Sequence, residues 1–237
     1  MALVTIDESD EDSFAQASQS EREGSGSHGM YFRVNGALVL ARGANFIPMD
    51  QLEGRLLDEA HRIAVHSAAH ANMNMIRIWG GGMVLPNAFY EACDEMGIML
   101  YHDMMFVDEA GHRPVQTKSV EAEIRQLIRS LASHTSIVVW NGCNECQVVM
   151  GTPSEIYATF VMQIVAEEDN TRSLWPSSPS KHGWKTGVHM LDSRPNGNPL
   201  RTWGPDDFPQ DLETHGPYMR SFSKDFPGVN GHDVGCK

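Results

Sequence analysis

The chain has 237 residues, with 18 Lys and Arg against 31 Asp and Glu, and a formal net charge of −13. This acidic balance, without any basic cluster, argues against a nucleic-acid partner, because phosphate backbones are bound by grouped Lys and Arg. No stretch approaches the ~18 apolar residues of a membrane helix, so we expect no membrane partner. The first residues lack the basic and apolar regions of a signal peptide, and the localisation stays unassigned.

Composition divides the chain into two regions. Residues 1–29 are acidic and rich in Ser and Gly, with too few apolar side chains to offset the entropy of ordering, so we predict a disordered tail. Residues 30–237 are predicted to form a folded domain. The pattern becomes irregular after about residue 184, where prolines recur.

Within this domain, predicted strands alternate with predicted helices. An extended run at residues 31–34 meets the hairpin signal Asn35-Gly36. The following strands are expected at 38–43, 75–79, 98–103, 137–140 and 172–175, and the helices at 56–71, 86–96, 119–133 and from Ser154 onward. Periodicity places Leu57 and Ile63 on the apolar face of the first helix. Five apolar strands separated by four helices predict a parallel sheet built from βα units.

The unusual residues of this α/β pattern follow the strands. They are Arg77, Trp79, Asp103, Asn144, Glu145 and Trp175. A (β/α)8 TIM barrel assembles its active site from the carboxyl ends of several strands, whereas a doubly wound sheet needs a phosphate-binding glycine loop after its first strand. The pattern therefore favours the barrel. Because such a barrel normally takes ~250 residues, we expect only about its first five strands here.

Glu145 is the sharpest candidate for chemistry. It follows an apolar strand, and a carboxylate at a barrel rim is placed to act as a general acid; the alternative is a solvated loop residue. Arg77 and Asp103 are expected to pair, either to hold a hydroxylated ligand or as a structural ion pair. Tryptophans suit flat apolar sugar faces, although they also fill cores; the chain offers Trp79, Trp140, Trp175 and Trp203.

Other motifs favour no separate function. Gly80-Gly81-Gly82 lacks the Gly-Lys-Ser/Thr completion of a phosphate loop, so it predicts a tight turn. Four scattered cysteines do not form a disulfide framework. Cys143 and Cys146 are spaced for zinc or redox chemistry but lack matching ligands or a thioredoxin-like context, so no metal is expected.

Several consecutive motifs resemble the β-mannosidase branch of glycoside hydrolase family 2. They cover residues 30–180 and comprise Tyr31–Gly36 with Arg42–Pro48, then Ala71–Gly82, Phe89–Met99, Ser133–Glu145 and Leu174–Ser180. The resemblance implies part of a (β/α)8 catalytic domain. It also implies a retaining exo-glycosidase that removes terminal non-reducing β-D-mannosyl residues from oligosaccharides or glycans and needs no cofactor.

The same resemblance assigns roles to residues. Glu145 corresponds to the acid/base and Asn144 to the residue that binds the sugar 2-hydroxyl. Four residues correspond to positions that line the family's pocket: Arg77, Trp79, Asp103 and Trp175. The segment that contains Trp203 resembles a substrate-binding loop of the family more weakly. Members of the family are often lysosomal or secreted.

The sequence also departs from the family pattern. The nucleophile of the family lies in a Ser-Glu-Phe/Tyr-Gly motif, which this sequence does not contain. One alternative is therefore an inactive or truncated remnant of the enzyme. Another is the specificity of a β-galactosidase, β-glucuronidase or exo-β-glucosaminidase, which share the Asn-Glu pair.

Overall fold

The computed structural model describes residues 4–8, 30–50, 52–107, 117–145, 160–169, 171–175 and 177–178. The strands in these residues are β1 (Val4–Glu8), β2 (Met30–Val34), β3 (Ala37–Val39), β4 (Gly43–Phe46), β5 (Met75–Ile78), β6 (Met99–Asp103), β7 (Ile137–Asn141) and β8 (Ser173–Trp175). The α-helices are α1 (Asp58–His70), α2 (Asn87–Met96), α3 (Lys118–Leu131) and α4 (Met162–Glu168). None of these helices has the length and apolarity that a bilayer span requires.

A three-stranded antiparallel sheet, ordered β1-β2-β3, precedes the main sheet. The predicted hairpin is confirmed, since β2 and β3 meet at Asn35 and Gly36, which both have positive φ, as a two-residue hairpin turn requires. Residues 4–8, within the predicted tail, form β1, which pairs antiparallel with β2. The physical reason is that β2 has a second edge whose backbone groups need partners. The rest of that tail lies outside the described residues.

The main sheet is parallel, in the order β4-β5-β6-β7-β8, which confirms the predicted βα units. Its first strand begins later than predicted, because the expected strand 38–43 is divided between β3 and β4. The Asn74 side chain explains the division: it accepts from Arg42 N at 2.7 Å and donates to Leu40 O at 2.9 Å. The Asn74 side chain thus holds residues 40–42 together with backbone bonds from Asn74 N and Met75 N to Arg42 O.

The helices lie close to their predicted positions, but α1 presents a different face. Its buried residues are His61 and Val65, whereas Leu57 is 70% exposed and Ile63 is 56% exposed. His61 meets the ring of Phe89 edge to face, which brings a residue of polar type into the core. Helix α2 ends at Met96, as predicted, and Gly97 follows it with φ 69°. Ser154, the predicted start of the fourth helix, lies outside the described residues.

The two faces of the parallel sheet have opposite character because side chains alternate along a strand. One face packs against all four helices; its core includes Ile76, Ile78, Val65, Phe89, Ile124 and Ile164. The other face carries polar side chains at the carboxyl ends of the strands, where Arg77, Asp103 and Asn141 are joined by hydrogen bonds. The helices therefore bury one face and leave a polar cluster on the other.

Candidate active site

The centre of this cluster is a buried ion pair between β5 and β6. Arg77 donates from Nη2 to Oδ2 of Asp103 at 2.7 Å and from Nε to Oδ1 at 3.2 Å. Two parallel bonds of this kind fix the orientation of both groups. The guanidinium also lies 5.6 Å from the ring centroid of Tyr101, a favourable cation–π distance. The predicted pairing of Arg77 with Asp103 is therefore confirmed.

Asp103 has further donors. Gly80 N bonds Oδ2 at 2.8 Å and Asn141 Nδ2 bonds Oδ1 at 2.7 Å, and the side chain is fully buried. Burial raises the pKa of Asp103, while the Arg77 charge and these donors oppose the rise. Since both oxygens already accept hydrogen bonds from the protein, this geometry favours a carboxylate that orients its neighbours.

Arg77 links this pair to the Asn-Glu motif. Its Nη2 donates to Oδ1 of Asn144 at 2.9 Å, and Asn144 is buried. Because Oδ1 accepts this bond, Arg77 fixes the orientation of the Asn144 amide. The sequence-predicted residues Arg77, Asp103 and Asn144 thus come together.

Glu145 lies at the rim of the cluster, half-buried. Its backbone has φ 57°, in the left-handed region that L-residues rarely adopt. Glu145 N donates to Ser178 O at 2.7 Å and Asn144 N donates to Phe106 O at 2.9 Å. These bonds attach the segment after β7 to the segments after β6 and β8, so the position of Glu145 depends on three strand ends.

Trp79 follows β5 and is half-buried. Its backbone N donates to Phe46 O at 3.2 Å, and its carbonyl accepts from Gly82 N at 3.1 Å. The second bond closes a tight turn over Gly80 and Gly81, as predicted. Trp140 is fully buried and donates from Nε1 to Asp169 at 2.8 Å, so it belongs to the core. Trp175 pairs with Asn141 through β8, and Trp203 lies outside the described residues.

Sequence reasoning missed Asn141, Asn45 and His102. Asn45 accepts from Arg77 Nη1 at 3.4 Å. Asn141 could have been found from strand alternation, because it ends β7 on the same face as Asp103 ends β6. His102 gave no signal of that kind, since it lies on the helix-covered face.

His102 bonds the backbone of Asp103 from the helix-covered face of the sheet. Its Nδ1 lies 2.7 Å from Asp103 O; a carbonyl only accepts, so Nδ1 carries the proton and Nε2 accepts from the Tyr90 hydroxyl at 2.9 Å. That hydroxyl in turn accepts from Leu85 N at 3.3 Å. Burial lowers the pKa of His102 to about 4, so its ring is neutral at neutral pH.

The cysteines near the motif have no metal geometry. Cys143 is buried and disulfide-bonded, and its partner lies outside the described residues; this bond was not predicted. Cys93 is buried and free. Among the described residues, no group of three or more His, Cys, Asp or Glu is arranged to hold a metal ion.

Comparisons with known proteins agree with these motifs. The chain is 35% identical over 173 residues to a β-mannosidase of Rattus norvegicus. The matched segment covers 66% of this chain and 20% of the rat protein. The crystal structure of a β-D-mannosidase from Dictyoglomus thermophilum matches with a TM-score of 0.58 and 36% identity, covering 67% of this chain and 21% of that one. A β-glucuronidase of Bacteroides uniformis matches with a TM-score of 0.50 and 26% identity, over 61% of this chain and 19% of that one.

No family model matches the chain. It spans about one fifth of the length of the curated relatives that it matches. Within that span, the motifs around Arg77, Asp103 and Glu145 occur in an α/β fold with a parallel sheet that resembles a solved β-mannosidase. Over about two thirds of its length, the chain is therefore similar in sequence and fold to β-mannosidases of glycoside hydrolase family 2.

Proposed function

We propose that this chain carries the acid/base side of a β-mannosidase active site, which hydrolyses terminal non-reducing β-D-mannosyl residues of oligosaccharides or glycans. The observation that carries the proposal is the placement of Asn144 and Glu145 directly after β7, with the Asn144 amide bonded to Arg77. The rat and Dictyoglomus relatives bear the name β-mannosidase or β-D-mannosidase. No cofactor is needed for this chemistry.

We further infer that the parallel sheet is the first part of a (β/α)8 barrel and that residues 30–237 belong to the catalytic domain. Two features support the barrel. Core residues from all four described helices pack against one face of the sheet, whereas a doubly wound sheet has helices on both. The candidate residues Arg77, Asp103 and Asn144 lie at the carboxyl ends of different strands, where barrel enzymes build their sites.

We assign a distinct task to each residue. In a retaining mechanism, Glu145 gives its proton to the leaving glycosidic oxygen while a second carboxylate forms the glycosyl-enzyme ester. Glu145 then takes a proton from the water that cleaves this ester. Arg77 holds Oδ1 of Asn144, and the same amide carries N–H donors on its nitrogen. Such a donor suits the oxygen of the sugar 2-hydroxyl, which accepts the bond.

Trp79 is half-buried and follows Arg77, of the Arg77–Asp103 pair, along β5 and its turn. These positions support Trp79 as the apolar wall of the pocket and the ion pair as its polar floor. Trp175 follows the same logic by its place at the end of β8. Mannose specificity is favoured over glucuronide specificity, because identity is 36% to the β-D-mannosidase structure and 26% to the β-glucuronidase.

The test is hydrolysis of 4-nitrophenyl β-D-mannoside by the full chain, beside the matching β-galactoside, β-glucuronide and β-glucosaminide. Glu145→Gln should lower kcat/KM by about 10²-fold or more, the scale of a lost general acid–base. The matched control is Glu123→Gln, which removes an exposed carboxylate from α3 and should leave activity unchanged. Azide should restore turnover to Glu145→Ala and yield β-mannosyl azide, because azide attacks the ester without a general base.

Equal loss in both Gln variants, or full activity in Glu145→Gln, would contradict the role of Glu145. Preferred cleavage of another glycoside would replace the mannoside specificity. A folded parent chain without activity on any of the four substrates would show that the chain alone is not an active enzyme.

A further inference from the structure

The turn Gly80-Gly81-Gly82 connects two parts of the candidate site. On one side, Gly80 N donates to Oδ2 of Asp103 at 2.8 Å. On the other, Gly82 N donates to the carbonyl of Trp79 at 3.1 Å. The turn therefore lies between the aromatic side chain at the rim and the buried carboxylate beneath it.

Gly81 has a specific steric relation to Trp79. A Cβ added to Gly81 would overlap Cη2, Cζ2 and Cζ3 of the Trp79 indole. Gly81 is exposed and its φ lies outside the left-handed region, so neither burial nor backbone conformation requires glycine at this position. What a side chain would meet here is the six-membered part of the indole, which lies against the backbone of the turn.

We propose that Gly81 is a positioning residue: its missing side chain lets the Trp79 indole lie along the turn, in the place where it forms the apolar wall of the sugar pocket. The sugar part rests on the proposed function; the indole placement does not. Trp79 comes two residues after Arg77 and directly before Gly80, so the turn holds the wall next to the polar floor. Aromatic side chains with a few fixed polar groups beside them are typical of small-ligand pockets.

The neighbouring Gly80 is restricted by a different contact. A Cβ on Gly80 would overlap the backbone oxygen of Phe106 and lie 3.1 Å from Oδ2 of Asp103. Backbone cannot give way as a side-chain ring can, so Gly80→Ala should damage the fold. Gly81→Ala should instead displace the indole and leave the fold intact. This difference makes Gly81→Ala the informative variant.

The test uses the full chain labelled with ¹⁵N. The Trp79 indole N–H resonance is assigned as the one that disappears in Trp79→Phe. Gly81→Ala should shift this resonance and keep a cooperative thermal transition. The matched control is Gly54→Ala, because a Cβ at Gly54 meets nothing within 4 Å; it should leave the Trp79 resonance in place. An unmoved Trp79 resonance in folded Gly81→Ala would overturn the proposal.

A second arm measures binding of methyl β-D-mannoside. Gly81→Ala should weaken binding between about twofold and tenfold, the range of one aromatic contact. It should have no further effect in a Trp79→Ala background, since a residue that acts through another loses its effect when that residue is removed. Equal weakening in both backgrounds would overturn the positioning role. If the parent does not bind the mannoside, the sugar assignment fails together with the proposed function, and the resonance still decides the indole placement.

Discussion

Two buried ion pairs lie at opposite ends of the parallel sheet. Arg77 and Asp103 pair at the carboxyl ends of the strands, with side chains 10% and 0% exposed. Arg172 and Asp169 pair near the amino ends, with side chains 14% and 4% exposed. Each carboxylate also accepts from a neutral donor, Asn141 for Asp103 and Trp140 for Asp169. Residue types and burial are nearly the same, so they do not distinguish a site from a scaffold.

The partners of the two arginines do distinguish them. Arg172 donates to three backbone carbonyls, those of Ala132, His134 and Ile137, at 2.8, 3.0 and 2.7 Å. It thereby fastens the end of α3 to the start of β7. Arg77 donates to the side chains of Asp103, Asn144 and Asn45. An arginine that bonds backbone carbonyls stabilises the fold, whereas one that orients side chains next to Glu145 is arranged as part of the candidate site.

The largest effect should come from removing either arginine. Arg77→Met and Arg172→Met each leave a buried carboxylate without its partner, which should lower the free energy of unfolding by about 3–5 kcal/mol. Urea unfolding followed by circular dichroism at neutral pH measures this loss. Under the proposed function, only Arg77→Met should also reduce hydrolysis of 4-nitrophenyl β-D-mannoside per folded molecule. If Arg172→Met abolishes the activity of folded protein, the distinction between the two pairs is wrong.

A second effect is the pH dependence of the free energy of unfolding, which we expect from His102 next to Asp103. Below pH 6.5 the unfolded chain protonates His102, while the folded chain does so only near its lowered pKa of about 4. The unfolded state therefore binds more protons between these values, and acidification over that range should destabilise the fold by up to about 3 kcal/mol.

His102→Gln, which does not titrate, should flatten this part of the stability profile. Urea unfolding at several pH values between 4 and 6.5 measures the slope. Replacing the exposed His66 by Gln provides the control and should leave the slope as it is. The same slope in His102→Gln and the parent would place the titration elsewhere.

The smallest effect belongs to a solvent-accessible cluster. Arg125 on α3 bonds Glu121, Glu167 and Glu168 and so links α3 to α4. Its side chain is 24% exposed, and water screens the attraction, so Arg125→Ala should cost only about 1 kcal/mol. Unfolding at low and high salt checks the cause, because the difference between variant and parent should shrink as salt is added. A difference of the size expected for Arg77 would show that exposure is a poor guide here.

Much of this arrangement was predictable because the sequence shows short apolar runs typical of buried strands and the 3.6-residue period of amphipathic helices. Arg77 and Asp103 lie at the ends of apolar strands and Glu145 follows another, and a parallel sheet brings such positions to one edge. The exceptions come from contacts between distant segments. Residues 4–8 form a strand against the edge of β2, and the buried His61 on α1 meets the ring of Phe89.

The site was predictable as a set of positions and less so as a set of roles. Strand order indicates that Asp103 lies near Arg77, but it does not show that Gly80 and Asn141 complete the hydrogen bonds of Asp103. Gly81 is similar: the triple glycine predicts a turn, while its relation to the Trp79 indole depends on a rotamer. Such roles follow from side-chain geometry, which a linear pattern does not contain.

The backbone of Glu145 has a consequence for how this protein can change. A non-glycine residue at φ 57° costs about 1–2 kcal/mol relative to a relaxed conformation. Glycine would relieve that cost but remove the carboxylate. Selection for thermal robustness alone would therefore favour losing the residue on which catalysis is proposed to depend, and stabilising substitutions have to be sought away from this turn.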